Sequence, residues 1–160
     1  MDKLRFLTPE NLDQIRIDFG TPTFVYDEDT LRANAQAVKN FPNAFGLFPR
    51  YAMKSAPTAA ILRIFNHEGL GIDASSEFEV ERAVRSGYGT ESISMSTQEF
   101  PENFRFWVQD GVKVNLCSLN QIHKFGIWGS GESVGLRFNP GMGSGGTNRT
   151  NVGGPASSFG

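Results

Sequence analysis

From about Phe45 onward, five apolar runs recur about every twenty residues, each followed by a helical pattern, and this repeat restricts the chain to a few architectures. The runs are AFGLFPRYAM (44–53), GLGIDAS (69–75), ESISMS (91–96), VKVNLCS (112–118) and SVGLRFN (133–139). Between them, apolar residues fall at helical spacing: Ile61, Leu62 and Phe65; Val80, Ala83 and Val84; Phe104, Trp107 and Val108. Helix punctuation agrees. Pro57 and Pro101 suit first turns, Ser76-x-x-Glu79 and Ser118-x-x-Gln121 read as capping boxes, and Gly69, Gly87, Gly111 and Gly126 sit where C-caps belong. Short right-handed crossovers between buried strands require a parallel sheet. Such repeats close into a (β/α) barrel or lie in an open doubly wound sheet, and periodicity alone does not choose.

Ahead of the repeat, Thr8-Pro9 and Gly20 bracket a helix with Leu12 and Ile15 on one face. TPTFVYD (21–27) reads as a strand, and a second helix spans about Asp29 to Asn40, with Leu31, Ala35 and Val38 aligned.

In either architecture function gathers at the carboxyl ends of strands. Here those ends carry Lys54, then Asp73 and Ser75, then Ser94 and Ser96, then Asn115 and Ser118, then Arg137 and Asn139. The serines suit helix caps. Lys54 and Arg137 are not preferred caps, and together with Asp73 they are the candidates for chemistry. A lysine amine at a strand end is ordinarily a solvated charge, but a deprotonated amine forms a Schiff base with a carbonyl.

Other chemistries fit less well. Charges of both signs are interspersed, the net charge is −2, and no Lys/Arg run offers a stripe for nucleic acid or anionic membrane. With 39% hydrophobic and 20% charged residues the composition is that of a globular protein. No apolar stretch approaches the ~20 residues of a membrane span, no secretory signal opens the chain, and the expected location is cytoplasmic. Cys117 is the sole cysteine and reads as a small buried side chain rather than a nucleophile. Gly141, Gly143 and Gly146 satisfy G-x-G-x-x-G, but no amphipathic helix or acidic residue follows, which argues for a loop over the strand ends rather than a dinucleotide site. No metal site is expected.

Taken together and in order, TPTFVYD, YAMKSAP, GLGIDASSEFEVERAVRSG, VKVNLCSLNQI and GLRFNPGMGSGG resemble the N-terminal part of the fold-type III pyridoxal-phosphate decarboxylases, most closely the branch acting on diaminopimelate. KSAPTAA after the lysine departs from the Ala-Asn-Ala-Tyr-Gly usual in alanine racemases of the same fold. The resemblance implies an α/β chain holding about five units of a (β/α)8 TIM barrel of the alanine racemase-like type, the C-terminal β-domain being absent except for its first strand, TPTFVYD. Residues 1–44 would then be a helix, that strand and a connecting helix, and residues 45–160 the first part of the cofactor-binding barrel, ending before closure. The resemblance also implies Lys54 as the lysine binding pyridoxal 5'-phosphate as an aldimine, with Asp73 and Arg137 as cofactor-site residues beside it. Glu77 matches the motif too, yet its first-turn position is equally explained by the helix dipole. The implied reaction converts meso-diaminopimelate to L-lysine and CO2 in a homodimeric lyase of lysine biosynthesis. Alternatives are decarboxylation of ornithine, lysine, arginine or carboxynorspermidine, or a non-catalytic cofactor carrier. The phosphate loop, pyridine-nitrogen partner and general acid would lie beyond residue 160, so the 160-residue chain alone is expected to be inactive and poorly soluble.

Overall fold

The computed structural model describes residues 6–127, 133–143, 153–154 and 157. Two helices lead, α1 (Pro9–Phe19) and α2 (Glu28–Lys39). The repeat follows as β1 (Arg50–Ala52), α3 (Ala59–His67), β2 (Gly71–Ala74), α4 (Glu77–Arg85), β3 (Ile93–Ser96), α5 (Phe104–Gln109), β4 (Lys113–Leu116), α6 (Leu119–Ile127) and β5 (Gly135–Leu136). All four pairings are parallel and the strand order is β1-β2-β3-β4-β5. A doubly wound sheet reverses direction at a switch point, whereas this one only advances, and that order is an arc of a (β/α) barrel.

Register separates the two faces of the arc. Ile72 pairs with Ile93, and Ala74, Met95 and Val114 align across β2, β3 and β4, so these side chains share the helix-facing side. They form one buried cluster with Met53, Leu62, Val80, Ala83, Phe104, Trp107 and Phe125. Met53, Leu62, Ile72 and Ile93 have no exposed surface, and each such burial contributes about 1.5–3 kcal/mol. The opposite face carries Arg50, Asp73, Ser94, Ser96, Lys113 and Asn115. It is mostly polar, with the small residues Ala52 and Gly71 between.

Caps follow the sequence closely. The Ser76 hydroxyl accepts from Glu79 N–H, and the Ser118 hydroxyl accepts from Gln121 N–H. Their acidic and amide partners reach back one residue further than in a standard capping box, Glu79 to Ser75 N–H at 2.7 Å and Gln121 to Cys117 N–H at 2.6 Å. Gly69, Gly87 and Gly111 adopt φ of 80°, 101° and 104°, the left-handed region that ends helices without a Cβ penalty. Gly126 instead lies inside α6, while Pro57 precedes the Thr58 cap and Pro101 precedes the Asn103 cap, so neither proline is helical.

Four expectations about apolar segments fail, for two physical reasons. Residues 21–27 form no ladder, and Phe24, Val25 and Tyr26 are exposed. β-propensity reports fit to a pleated neighbour, and no strand of the arc pairs with this segment. On α2, Ala35 is buried but Val38 is exposed, and on α4 Val84 is exposed, because each helix meets the layer beneath along a narrower stripe than the spacing suggests. α1 likewise buries no residue.

α2 is held to α3 by a polar joint. The carboxylate of Glu68, just past α3, accepts hydrogen bonds from Arg32 and Gln36, and its backbone carbonyl accepts from Lys39 Nζ at 2.6 Å. Beneath it Ala35, Ile61, Phe65 and Leu70 make a second apolar cluster. His67 lies beside this joint, its Nδ1 3.6 Å from Glu68, far from the strand ends.

Candidate active site

Lys54 sits on a 3₁₀ turn, Met53–Ser55, that leaves β1 at its carboxyl end. Two local features fix the turn: Met53 is driven fully into the core, and the Ser55 hydroxyl donates to Ala52 O at 2.8 Å. Pushing Met53 inward turns Lys54 outward. Its amine is exposed and makes no hydrogen bond or ion pair among the described residues.

Asp73 faces it from β2, since Ala52 and Asp73 are register partners and Lys54 follows Ala52 by two residues. The carboxylate is half-buried. Burial pushes its pKa above the ordinary value, while the nearby charges of Lys54, Arg50 and Arg137 pull it down without fully offsetting that cost. Arg137 follows β5, where its N–H donates to Leu116 O at 2.8 Å and extends the ladder. Lys54, Asp73 and Arg137 therefore meet across five strands in one cleft of about 440 Å³.

The sequence-derived residues divide into three groups here. Ser75 and Ser96 join the three charged residues in lining the cleft. Ser94 and Asn115 lie in the sheet beneath it, where the Asn115 amide donates to Ser94 Oγ at 3.2 Å and to Ser96 Oγ at 2.9 Å. Ser118 is spent on capping α6, and Asn139 turns away, donating to Gly154 O at 3.2 Å. Glu77 also leaves the site, accepting from Asn103 N–H at 3.2 Å at the start of α5. Cys117 is buried, donates to Asn115 O, and has its thiol pushed up by burial, which suits packing and not attack. Gly146 lies outside the described residues, so the G-x-G-x-x-G reading has its described part in Gly141 and Gly143 alone.

Sequence reasoning missed the loop after β3. Thr97, Gln98 and Glu99 form the opposite rim of the cleft, held down because Gln121 Nε2 donates to Thr97 O at 2.9 Å and to Gln98 O at 3.1 Å. Arg50, four residues before Lys54, does not line the cleft; its guanidinium lies on the Phe48 ring. A groove of similar volume between α3 and α4, lined by Arg63, Arg82 and Arg85, lies on the helical face and contains no strand end.

Fold and cleft define a (β/α)-barrel protein whose strand-end site is built around one unpaired lysine amine. Its residues 29–160 match the family described as the pyridoxal binding domain of pyridoxal-dependent decarboxylases, and the chain belongs to that family. Among curated proteins it is 34% identical over 148 residues to the diaminopimelate decarboxylase of Streptomyces coelicolor, covering 89% of this chain and 32% of that protein. It is 32% identical over 165 residues to that of Escherichia coli strain K12, covering 96% and 37%. A crystal structure of diaminopimelate decarboxylase superposes with a TM-score of 0.83 at 31% identity, covering 96% of this chain and 36% of that one. A lysine/ornithine decarboxylase from Vibrio vulnificus, at 21% identity and TM-score 0.66, shares the fold. The chain thus spans about a third of the length of the relatives it matches. Pyridoxal phosphate is the cofactor that this family membership implies.

The residues present fit that group. An aldehyde needs an accessible amine with no competing partner, and Lys54 is one; an anionic cofactor needs cations, and Arg137 lines the same cleft.

Proposed function

We propose that the protein carrying this chain is a pyridoxal-phosphate-dependent amino-acid decarboxylase that converts meso-diaminopimelate to L-lysine and CO2. The observation that carries the reading is the exposed, unpaired Lys54 amine facing Asp73 and Arg137 at the strand ends of a chain in this family. In this reading Lys54 Nζ would hold the cofactor covalently and would be the amine set free when substrate binds. Bound there, pyridoxal phosphate supplies the electron sink for the charge left when CO2 departs. Asp73 supplies a carboxylate facing the Lys54 amine, and Arg137 orients the anionic groups of the ligand. The released Lys54 amine holds a proton within the cleft. The 21–27 segment would pair in a β-domain formed elsewhere, residues 45–160 being the barrel part, in a cytoplasmic homodimer. Among the described residues no helix is long and apolar enough to cross a membrane.

Borohydride reduction of the complete holoprotein, followed by peptide mass spectrometry, is expected to place a pyridoxyl group on Lys54. Lys54→Ala should abolish both that adduct and the cofactor's absorption band. Release of CO2 from meso-diaminopimelate, and not from ornithine, lysine, arginine or carboxynorspermidine, completes the test. A reducible band that persists in Lys54→Ala defeats the anchor assignment, and an adduct without CO2 release from any of these substrates would mark a carrier.

A further inference from the structure

Four side-chain hydroxyls line the cleft, those of Ser75, Ser76, Ser96 and Thr97. Thr97 Oγ1 donates to Glu99 O at 3.0 Å within the rim loop, Ser76 caps α4, and Ser75 is held through its backbone N–H by Glu79. Ser96 differs, because a side chain on the neighbouring strand fixes its hydroxyl. The Asn115 amide donates to Ser96 Oγ at 2.9 Å.

That amide is itself fixed. It also donates to Ser94 Oγ at 3.2 Å, on a serine that is almost fully buried and stands two residues earlier on β3. Its oxygen lies over β5 at Gly135, where a Cβ would be only 1.9 Å away, so glycine at this register position leaves room for the carboxamide. A carboxamide has two N–H donors, whereas a hydroxyl has one hydrogen and two lone pairs. With one lone pair taken by Asn115, the Ser96 hydrogen turns away from the amide, and no acceptor among the described residues takes it. The cleft is the side left open to it.

The sheet sets the distance from Ser96 to the lysine. Ala52, Asp73 and Ser94 are register partners, and Lys54 and Ser96 each stand two residues beyond that row. Two strand spacings, about 9–10 Å, therefore separate their backbones across the mouth of the arc. A ring-sized ligand with one end on Lys54 spans that gap.

We infer that Ser96 is a ligand-binding residue of this cleft and Asn115 its positioning residue: by donating to Ser96 Oγ, the Asn115 amide turns the Ser96 hydroxyl hydrogen into the cleft, where it donates to an oxygen acceptor of the ligand held at Lys54. The ligand's identity rests on the proposed function, but the orientation of the hydroxyl does not. If the cluster only stapled β3 to β4, Ser96→Ala would lower the melting temperature and leave ligand affinity unchanged.

The test titrates pyridoxal phosphate into the complete, cofactor-free protein by calorimetry. Ser96→Ala should weaken binding about ten-fold or more, the effect of losing one hydrogen bond to a charged acceptor, and Ser96→Thr should keep most of the affinity. Asn115→Leu should also weaken binding but add nothing in the Ser96→Ala background, because it acts through that hydroxyl, and Asn115→Ala serves as a second variant. In the ligand-free protein, Ser96→Ala should shift the Asn115 side-chain amide proton signals. An affinity unmoved by Ser96→Ala, an Asn115 variant that tightens binding or whose loss simply adds, or amide signals that stay in place overturns the inference. Borohydride at saturating cofactor should still label Lys54 in Ser96→Ala. An unlabelled Lys54 in the unsubstituted protein defeats the proposed function, whereas a labelled Lys54 with unmoved affinity in Ser96→Ala defeats this inference alone.

Discussion

Asp73 pits function against stability within one side chain. Its folded pKa is raised, chiefly by burial, so its contribution to stability is fully present below the ordinary value of 3.8 and is lost as pH rises through the higher folded value. At neutral pH the charged carboxylate is a net cost. Asp73→Asn is therefore expected to raise the melting temperature at pH 7 and to weaken cofactor binding, checked by calorimetry and by cofactor fluorescence. Gly135 is constrained from the opposite direction, because a Cβ there would overlap the Asn115 amide that holds Ser94 and Ser96. The candidacy of Lys54, Asp73 and Arg137 was legible from their strand-end positions, since strand boundaries follow local pattern. The close approach of Arg50 to Gly71 was not, because it depends on which residue of β2 stands opposite Arg50, a long-range register that no local pattern encodes.

Elements here are joined by buried polar side chains as much as by apolar ones. Gln121 is almost fully buried and makes three bonds, to Cys117 N–H, Thr97 O and Gln98 O, so α6 holds the β3–α5 loop that rims the cleft. Gln121→Ala orphans those groups and should cost about 1–3 kcal/mol in urea unfolding, with faster amide exchange at Gln98 and Glu99. Its capping role was readable in Ser118-x-x-Gln121, while its cross-link to the loop was not, because that loop comes close only once β3 and β4 pair. Glu68 is the corresponding joint for α2. Hydrogen bonds from Gln36 and then Arg32 hold its carboxyl below the ordinary 4.5, so its contribution is present above that value and is lost as pH falls through the lower folded one. Acidification below pH 4.5, or Glu68→Ala at neutral pH, is expected to speed amide exchange in α2 ahead of α3.

Across the whole molecule, five strands make an arc whose outer strands each have one side without a partner among the described residues. Phe45, Leu119 and Phe138 are more than four-fifths exposed beside those edges. The 160-residue chain by itself is expected to associate and to bind a hydrophobic dye, as sedimentation and fluorescence would show; a monomeric, dye-free species would contradict it. The sequence by itself determined the alternation of strands and helices, most helix ends, and which charged residues stand at strand ends, because caps, glycine turns and side-chain period act within a few residues. The tertiary structure alone decided that the strands run in sequential order, that residues 21–27 stay unpaired, and that Asn139 and Glu77 leave the cleft while Thr97 to Glu99 enter it. Each of these depends on neighbours distant in sequence, and only the packed sheet brings those neighbours together.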